Sequence, residues 1–139
     1  MTELVDTSVL ILARREAFVR EWLRAAILAD AVAICDQVVI EYLRGARNQS
    51  EFAEFEAVLS AFPWLRIEPA DWDRVRSVYR ALSGVTGGYQ QSVPIADALI
   101  AAVAERHDVG VVHYDEDYDR VAAITGQPVR WVMPRGSAA

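Results

Sequence analysis

Three acidic residues, Asp6, Glu41 and Asp97, lie where acidic side chains are rare. Each is the only acid in a segment that is apolar almost all the way round, and such segments are typical of buried elements. Burying an ionised carboxylate without a partner costs several kcal/mol. Three such costs would consume much of a domain's net stability of about 5–15 kcal/mol. We therefore expect a cation to meet these carboxylates.

The basic residues of the chain indicate which cation this is. All 14 are arginine and none is lysine, and only Arg44 lies in one of the three segments. A divalent metal ion is therefore the remaining candidate. Hard oxygen ligands suit Mg²⁺ or Mn²⁺, so the pattern predicts a metal centre made of carboxylates.

The predicted elements bring these acids to one place. Short, uniformly apolar strands that alternate with helices predict an α/β fold, a central parallel β-sheet flanked by α-helices. Asp6 lies at the carboxyl end of the first strand, and Asp115 lies just past the strand at 110–112. Ligands of open parallel sheets gather outside the carboxyl ends of the strands. Glu41 and Asp97 are each about one turn inside a helix, so their side chains are expected to point back toward that crevice.

We predict one domain over residues 1–134, followed by a disordered tail at 135–139. The glycine-rich segment 84–92 is expected to be a mobile loop. Apolar faces are expected at residues 18, 22, 25 and 29 of the second helix and 72, 75, 79 and 82 of the fifth. The predicted strands are 3–5, 32–35, 65–67, 110–112 and 129–132, and the predicted helices are 8–13, 16–29, 36–45 (capped by Asp36), 50–62, 70–82, 92–107 (opened by Ser92 and Pro94) and 116–125.

Each acid also has a purely structural alternative. Asp6 could cap the helix that follows it, and Asp97 could serve the dipole of its own helix. Asp115 or Asp117 could cap the helix that begins near residue 116. Glu41 has the weakest alternative, because a mid-helix acid flanked by valine and isoleucine has little structural use. All the alternatives must hold at once for the metal centre to be absent.

Composition narrows the class of protein. The 139 residues are 53% hydrophobic, which fits one globular domain. The single cysteine, Cys35, excludes an intrachain disulfide and is expected to be buried rather than reactive. No signal peptide and no apolar run of about 18 residues is visible, so we expect a cytoplasmic protein without membrane contact.

The net charge of −6 has the wrong sign for a broad nucleic-acid surface. Part of this negative charge lies at the predicted metal centre, where bound cations would neutralise four or five of the acids. Modest basic area favours a substrate chosen by shape or by a short single-stranded site. The arginines that remain to touch phosphate are Arg14, Arg15, Arg44, Arg47, Arg74, Arg76 and Arg80.

The spaced acids resemble a known family, the PIN-domain VapC toxins of bacteria. The resemblance runs from Leu4 to Val132, in order and at family-like spacing. It implies a PIN fold with an acidic metal site. In it the family's first three acids match Asp6, Glu41 and Asp97, and its late acids match Asp115 and, more loosely, Asp117. Ser8 matches a hydroxyl that lies beside the metal in the family. Four blocks carry the resemblance: Val5-Asp6-Thr7-Ser8, Glu41, Pro94-Ile95-Ala96-Asp97-Ala98-Leu99-Ile100-Ala101 and His113-Tyr114-Asp115-Glu116-Asp117-Tyr118.

The resemblance further implies an endoribonuclease that uses Mg²⁺ or Mn²⁺, pairs as a homodimer and is held inactive by a small VapB-like antitoxin. The RNA it cuts, tRNA or rRNA among the possible classes, is not implied. We hypothesise that Asp6 and Asp97 hold the principal ion. Asp115, Glu41 and Asp117 would complete the site or hold a second ion, while water attacks the phosphodiester in line. His113 is expected to pack at the end of a strand, and His107 is expected to cap the C-terminus of a helix.

Other function classes are less well supported. Receiver domains and haloacid-dehalogenase-like phosphatases also gather aspartates at strand ends, but both use a lysine near the phosphate, and this chain has none. A catalytically silent PIN-like binding module and a structure-specific DNA nuclease on the same fold stay open. Apolar residues within 52–64 suggest a partner or dimer face.

Overall fold

The computed structural model describes residues 2–138, and its architecture confirms the predicted α/β class. Five parallel strands form one sheet, and helices connect them. The strands are β1 (Glu3–Val5), β2 (Val32–Cys35), β3 (Trp64–Leu65), β4 (Gly110–His113) and β5 (Val129–Trp131). The helices are α1 (Thr7–Leu12), α2 (Ala17–Leu28), α3 (Asp36–Arg44), α4 (Gln49–Leu59), α5 (Pro69–Ser83), α6 (Ile95–Arg106) and α7 (Asp117–Thr125), with a 3₁₀ turn at Tyr89–Gln91 before α6.

The strand order β3-β2-β1-β4-β5 places β1 at the centre of the sheet. Leu4 pairs with Ala33 of β2 on one side and with Val111 of β4 on the other. The chain builds outward from β1 through β2 to β3 and then returns to the other side of β1 for β4 and β5. The direction of winding therefore reverses between β1 and β4. In open α/β sheets, that reversal opens a crevice at the carboxyl ends of the two strands.

The core explains why the strands are continuously apolar. All four residues of β2 and all four of β4 are buried, because helices cover both faces of the sheet. Helix α6 is buried without interruption from Asp97 to Ala104. Its small side chains let it pack closely against α3, α5, α7 and β4. Within residues 2–138, no helix is long and apolar enough to cross a membrane.

The predicted apolar face of α2 is wrong, and that of α5 is confirmed at residues 75 and 82 but wrong at residue 72. On α2 the buried residues are Val19 and Leu23, whereas Phe18 is 65% exposed. On α5 the buried apolar face is Val75, Val78 and Leu82, and Trp72 is 51% exposed. In both helices the prediction gives the large aromatic side chain more weight than the branched aliphatic residues beside it, although those residues also recur at helical spacing.

The predicted cap of α3 is also wrong, and at the start of α6 the prediction is confirmed for Pro94 but not for Ser92. Helix α3 begins at Asp36, with Cys35 as its N-cap residue. The Asp36 carboxylate accepts instead from Arg66 Nε (3.0 Å) and from the backbone amide of residue 67 (2.9 Å), so it ties α3 to the segment after β3. Pro94 is the N-cap residue of α6, and the Ser92 hydroxyl donates to the carbonyl of residue 89.

A buried ion pair that the sequence analysis missed joins α5 to α6. Asp71 is only 1% exposed and accepts from Arg106 Nε (2.8 Å) and Nη2 (3.0 Å). The Glu68 amide donates to the same carboxylate at 2.8 Å, closing a capping box at the start of α5. Burial alone would raise the pKa of Asp71, but the hydrogen bonds from Arg106 and Glu68 hold it below its usual value.

After β5 the chain turns at Pro134, and the Ala138 amide donates to the Tyr114 hydroxyl at 3.1 Å. Residues 135–138 of the expected disordered tail thus have contacts with the domain, and residue 139 lies outside the described residues. The predicted single domain over 1–134 stays a prediction, and residue 1 also lies outside the described residues. The predicted burial of Cys35 is confirmed, since it is 0% exposed.

Candidate metal centre

Three of the predicted acids meet at the crevice between β1 and β4. Asp97 lies in the first turn of α6, Asp115 follows β4, and Asp117 is the first residue of α7. One carboxylate oxygen from each of the three lies within 4.8 Å of the other two. The fold therefore brings acids from two helices and from the turn after β4 into one cluster at the predicted edge of the sheet.

Asp97 is the most unusual member of the cluster. It is 8% exposed, and its Oδ2 is buried without a hydrogen-bond partner. Burial first, then the nearby charges of Asp6 and Asp115, raise the pKa of Asp97 from 3.8 to about 8. A buried acceptor with no donor costs about 1–3 kcal/mol or more when charged, so this oxygen is placed for a ligand that carries positive charge.

Asp6 lies at the end of β1 beside this cluster, and its carboxylate is already bonded. It is the N-cap of α1: Oδ2 accepts from the Ser8 amide (3.0 Å) and from the Ser8 hydroxyl. Oδ1 accepts from the Tyr118 hydroxyl at 2.6 Å. The helix-capping alternative for Asp6 therefore holds, yet its charge also reaches the site, because it raises the pKa of both Asp97 and Glu41.

Glu41 faces the same crevice from α3 but lies apart from the three-acid cluster. It is half-buried, and its Oε1 accepts from the Thr7 hydroxyl at 3.3 Å. Burial, followed by the charge of Asp6, raises its pKa above the usual value. The expectation that the segment around Glu41 is a buried element is wrong on one side of α3, since Ile40 is 62% exposed. The glutamate sits at the border between the buried and solvent faces.

Asp115 and Asp117 are held by the turn after β4. The His113 Nδ1 accepts from the Asp115 amide (3.1 Å), and Asp115 Oδ1 accepts from the Asp117 amide (3.0 Å). Asp117 also accepts from Arg120 Nη1 at 2.8 Å. Burial and the charge of Asp115 nevertheless raise the pKa of Asp117. Arg120 therefore offsets only part of the negative charge of the cluster.

His113 packs at the strand end, as predicted. It is 0% exposed and lies between the rings of Tyr118, at a centroid distance of 4.9 Å, and Trp131, at 5.1 Å. Burial lowers the pKa of its imidazole, which favours the neutral form. With Nδ1 acting as an acceptor, the proton of that form is on Nε2. His113 thus supports the turn that carries Asp115.

The donor set fits a hard divalent cation. Carboxylate oxygens are the ligands that Mg²⁺ and Mn²⁺ prefer, and the cluster combines three of them with an unpartnered buried oxygen. Burial and then the charges of neighbouring acids raise the pKa of Asp97, and a divalent cation would offset both effects by stabilising the ionised carboxylate. The structure thus groups Asp97 with Asp115 and Asp117, whereas the sequence analysis groups Asp97 with Asp6 as holders of the principal ion.

Sequence reasoning missed Tyr118, Thr7 and Arg120 at this site. Tyr118 and Thr7 are buried beside apolar residues, where their types are equally common in a core. Arg120 looked like an ordinary residue of a polar helix. Among the arginines expected to touch phosphate, Arg74 pairs with Glu105 (2.6 Å) and Arg47 with Glu51 (2.8 Å), so both are engaged within the chain.

Comparisons with known proteins agree with this geometry. The family model described as PIN domain matches residues 4–124. Ribonuclease VapC18 of Mycobacterium tuberculosis is 43% identical over 96% of this chain and 96% of its own length. Ribonuclease VapC51 of the same organism is 37% identical over 96% of this chain and 95% of its own length.

A solved structure matches the fold as well. The complex described as VapBC2 from Rickettsia felis bound to a DNA fragment from their promoter contains a chain similar to this one, with a TM-score of 0.75. The match covers 94% of this chain and 98% of that one at 14% identity, so it supports the fold alone. The central parallel sheet, the acidic crevice and the two close relatives together place the chain: it belongs to the PIN-domain family, among the VapC ribonucleases.

Proposed function

We propose that this chain is a metal-dependent endoribonuclease that hydrolyses RNA phosphodiester bonds, and the toxin of a toxin–antitoxin pair. The observation that carries the proposal is the unpartnered, buried Oδ2 of Asp97 inside a cluster of three carboxylates. In a chain that is 43% identical to a protein named a ribonuclease, this cluster is the place where a cation and a phosphodiester would meet.

Asp97, Asp115 and Asp117 would hold Mg²⁺ or Mn²⁺, and Asp6 would contribute from the end of β1. When bound, the cation activates water and stabilises negative charge on the phosphoryl and leaving oxygens. Ser8 supports Asp6 through its amide and hydroxyl. Asp6, Glu41, Asp97 and Asp115 are the proposed catalytic residues.

Glu41 is suited to accept a proton during the reaction. Its carboxylate is half-buried at the edge of the crevice, and burial together with the charge of Asp6 raises its pKa above the usual value. General bases are most effective when their pKa lies near the operating pH. The Thr7 hydroxyl, which donates to Oε1, keeps the carboxylate oriented.

A VapB-like antitoxin and a second copy of the chain are the proposed partners. Support for the antitoxin comes from the Rickettsia felis structure, in which the similar chain belongs to a complex called VapBC2. The predicted partner face at 52–64 carries three exposed apolar side chains, Phe52, Val58 and Trp64. Burying such side chains against a partner removes apolar area from water.

The test is cleavage of total cellular RNA by the purified chain with Mg²⁺ or Mn²⁺, with EDTA, and with two variants. Asp97→Asn removes the central charge of the cluster. Asp108→Asn is the matched control, because Asp108 is exposed and precedes β4 at the opposite edge of the sheet. We expect discrete fragments from the wild type and from Asp108→Asn, and none with EDTA or with Asp97→Asn.

Other outcomes would support the alternatives. Uncut RNA together with cleavage of flapped or branched DNA by the wild type would establish a structure-specific DNA nuclease. If neither nucleic acid is cut while Mn²⁺ still binds, the chain is a PIN-like binding module. Fragments that persist with Asp97→Asn would contradict the proposed site itself.

A further inference from the structure

Asp6 and Asp71 are both almost completely buried, but their partners differ in charge. Asp71 is neutralised by Arg106, which donates to it twice. The hydrogen-bond donors to Asp6 are the Ser8 amide, the Ser8 hydroxyl and the Tyr118 hydroxyl, all of them uncharged. Neutral donors hold a carboxylate without the positive charge that would repel a divalent cation, so the groups bonded to Asp6 do not oppose such an ion.

The bonds to Asp6 leave a defined acceptor site. A carboxylate oxygen offers about two lone-pair sites. Both lone-pair sites of Oδ2 accept hydrogen bonds from Ser8, one from its amide and one from its hydroxyl. One site of Oδ1 accepts a hydrogen bond from the Tyr118 hydroxyl. The remaining site is therefore on Oδ1, the oxygen that Tyr118 holds.

Tyr118 is itself fixed on several sides. It is 0% exposed and is the second residue of α7, directly after Asp117. Its ring stacks on His113, whose Nδ1 accepts from the Asp115 amide. One aromatic side chain thus connects the carboxylate at the end of β1 to the turn that carries the other acids.

We propose that Tyr118 is a positioning residue of the metal centre: its buried hydroxyl fixes the Asp6 carboxylate so that Oδ1 presents its free acceptor site to the cation. The proposal rests on the proposed function insofar as Asp6 belongs to that centre. Without the hydroxyl, Oδ1 gains a second free site and the carboxylate loses the bond that opposes rotation on that side. Partners of this kind typically change metal affinity by about 10–100-fold.

The test compares Tyr118→Phe with the control Tyr42→Phe by isothermal titration calorimetry with Mn²⁺. The Tyr42 hydroxyl also has one side-chain hydrogen bond, from Arg14 Nε at 3.2 Å, but it lies on the face of α3 that packs against α4. We expect the Mn²⁺ Kd to rise about tenfold for Tyr118→Phe and to stay within about twofold for the control. At limiting Mn²⁺ the RNA cleavage rate of Tyr118→Phe should fall in parallel and recover in part at saturating Mn²⁺.

A Kd for Tyr118→Phe equal to that of the wild type would overturn the proposal. A wild type that binds Mn²⁺ but cuts no RNA, with weaker binding by Tyr118→Phe, would overturn the nuclease function and leave the positioning role intact. If Tyr118→Phe does not fold, the wild type supplies the answer. The ¹³Cζ resonance of Tyr118 should shift during a Mg²⁺ titration, with the midpoint that calorimetry of the wild type gives for Mg²⁺, and a resonance that does not move contradicts the proposal.

Discussion

Replacing Asp97 by asparagine should abolish metal binding and, in the same protein, stabilise the metal-free fold. Asparagine has almost the same shape but carries no charge, and its amide can donate to a neighbouring carboxylate. In the wild type the Asp97 carboxylate is buried beside Asp115 and Asp117 with one oxygen unpartnered. Without a cation, its ionised form opposes folding.

The size of the effect follows from the pKa. Burial, then Asp6 and Asp115, raise the pKa of Asp97 from 3.8 to about 8, so the folded chain binds this proton more tightly than the unfolded chain. The contribution to stability is therefore complete below pH 4 and is lost as the pH rises toward 8. At about 1.4 kcal/mol per pKa unit, the cost at pH 7 has an upper limit of about 4 kcal/mol. Recovering half of it would raise the Tm by about 5–8 °C.

The assay is thermal unfolding followed by circular dichroism in EDTA at pH 5, 7 and 8, repeated with Mg²⁺. The Tm advantage of Asp97→Asn over the wild type should grow with pH in EDTA, and Mg²⁺ should raise the Tm of the wild type only. Asp71→Asn is the matched control. It should lower the Tm, because Arg106 loses its anionic partner. An advantage of Asp97→Asn that is absent at pH 8, or that does not increase from pH 5, would refute the reasoning.

Two further predictions concern the rest of the fold. Arg106→Met should lower the free energy of unfolding in urea by about 3–5 kcal/mol, since it leaves buried Asp71 without its cation. Arg74→Met should lower it by under about 1 kcal/mol, because the Arg74–Glu105 pair is partly exposed. Equal losses for the two variants would contradict this assignment. Cys35 is 0% exposed, and burial raises its pKa to about 11. A disulfide reagent at pH 8 should therefore label it only after the chain is unfolded in guanidinium. Rapid labelling of the native chain would show that Cys35 is not buried.

The strands were predictable because each is a short apolar run between polar segments. β1 and β2 have the predicted bounds, and β4 and β5 differ by one residue. The two-residue β3 begins one position earlier and ends two positions earlier than expected, since an edge strand this short has little pattern of its own. Strand order was not predictable in this way. It depends on how the crossover helices pack, and local sequence does not encode that packing.

The acidic centre was predictable to the extent that polar residues stood out from apolar neighbours. Asp97 is the clearest case, because seven buried residues follow it on α6. The same signal failed for Asp71, which is equally buried but lies among polar residues of α5. It also failed for Tyr118, because a buried tyrosine is ordinary and its hydroxyl partner, Asp6, lies 112 positions away in the chain.

The buried acids of this chain separate into two kinds by the partner that offsets their charge. Asp71 has Arg106, a cation that the chain carries permanently, so its charge is offset without any ion from solution. Asp97 has an oxygen without a hydrogen-bond partner, and the nearby charges of Asp6 and Asp115 add to the effect of burial in raising its pKa. Asp6 has only neutral hydrogen-bond donors. At the proposed metal centre, a cation from solution would offset the charge of both residues. A ligand that binds only the folded chain stabilises it by about 2.7 kcal/mol at 100 times its Kd, which is comparable with the cost that Asp97 imposes. If the proposed metal centre is correct, the stability of the fold is therefore linked to the cation proposed for catalysis.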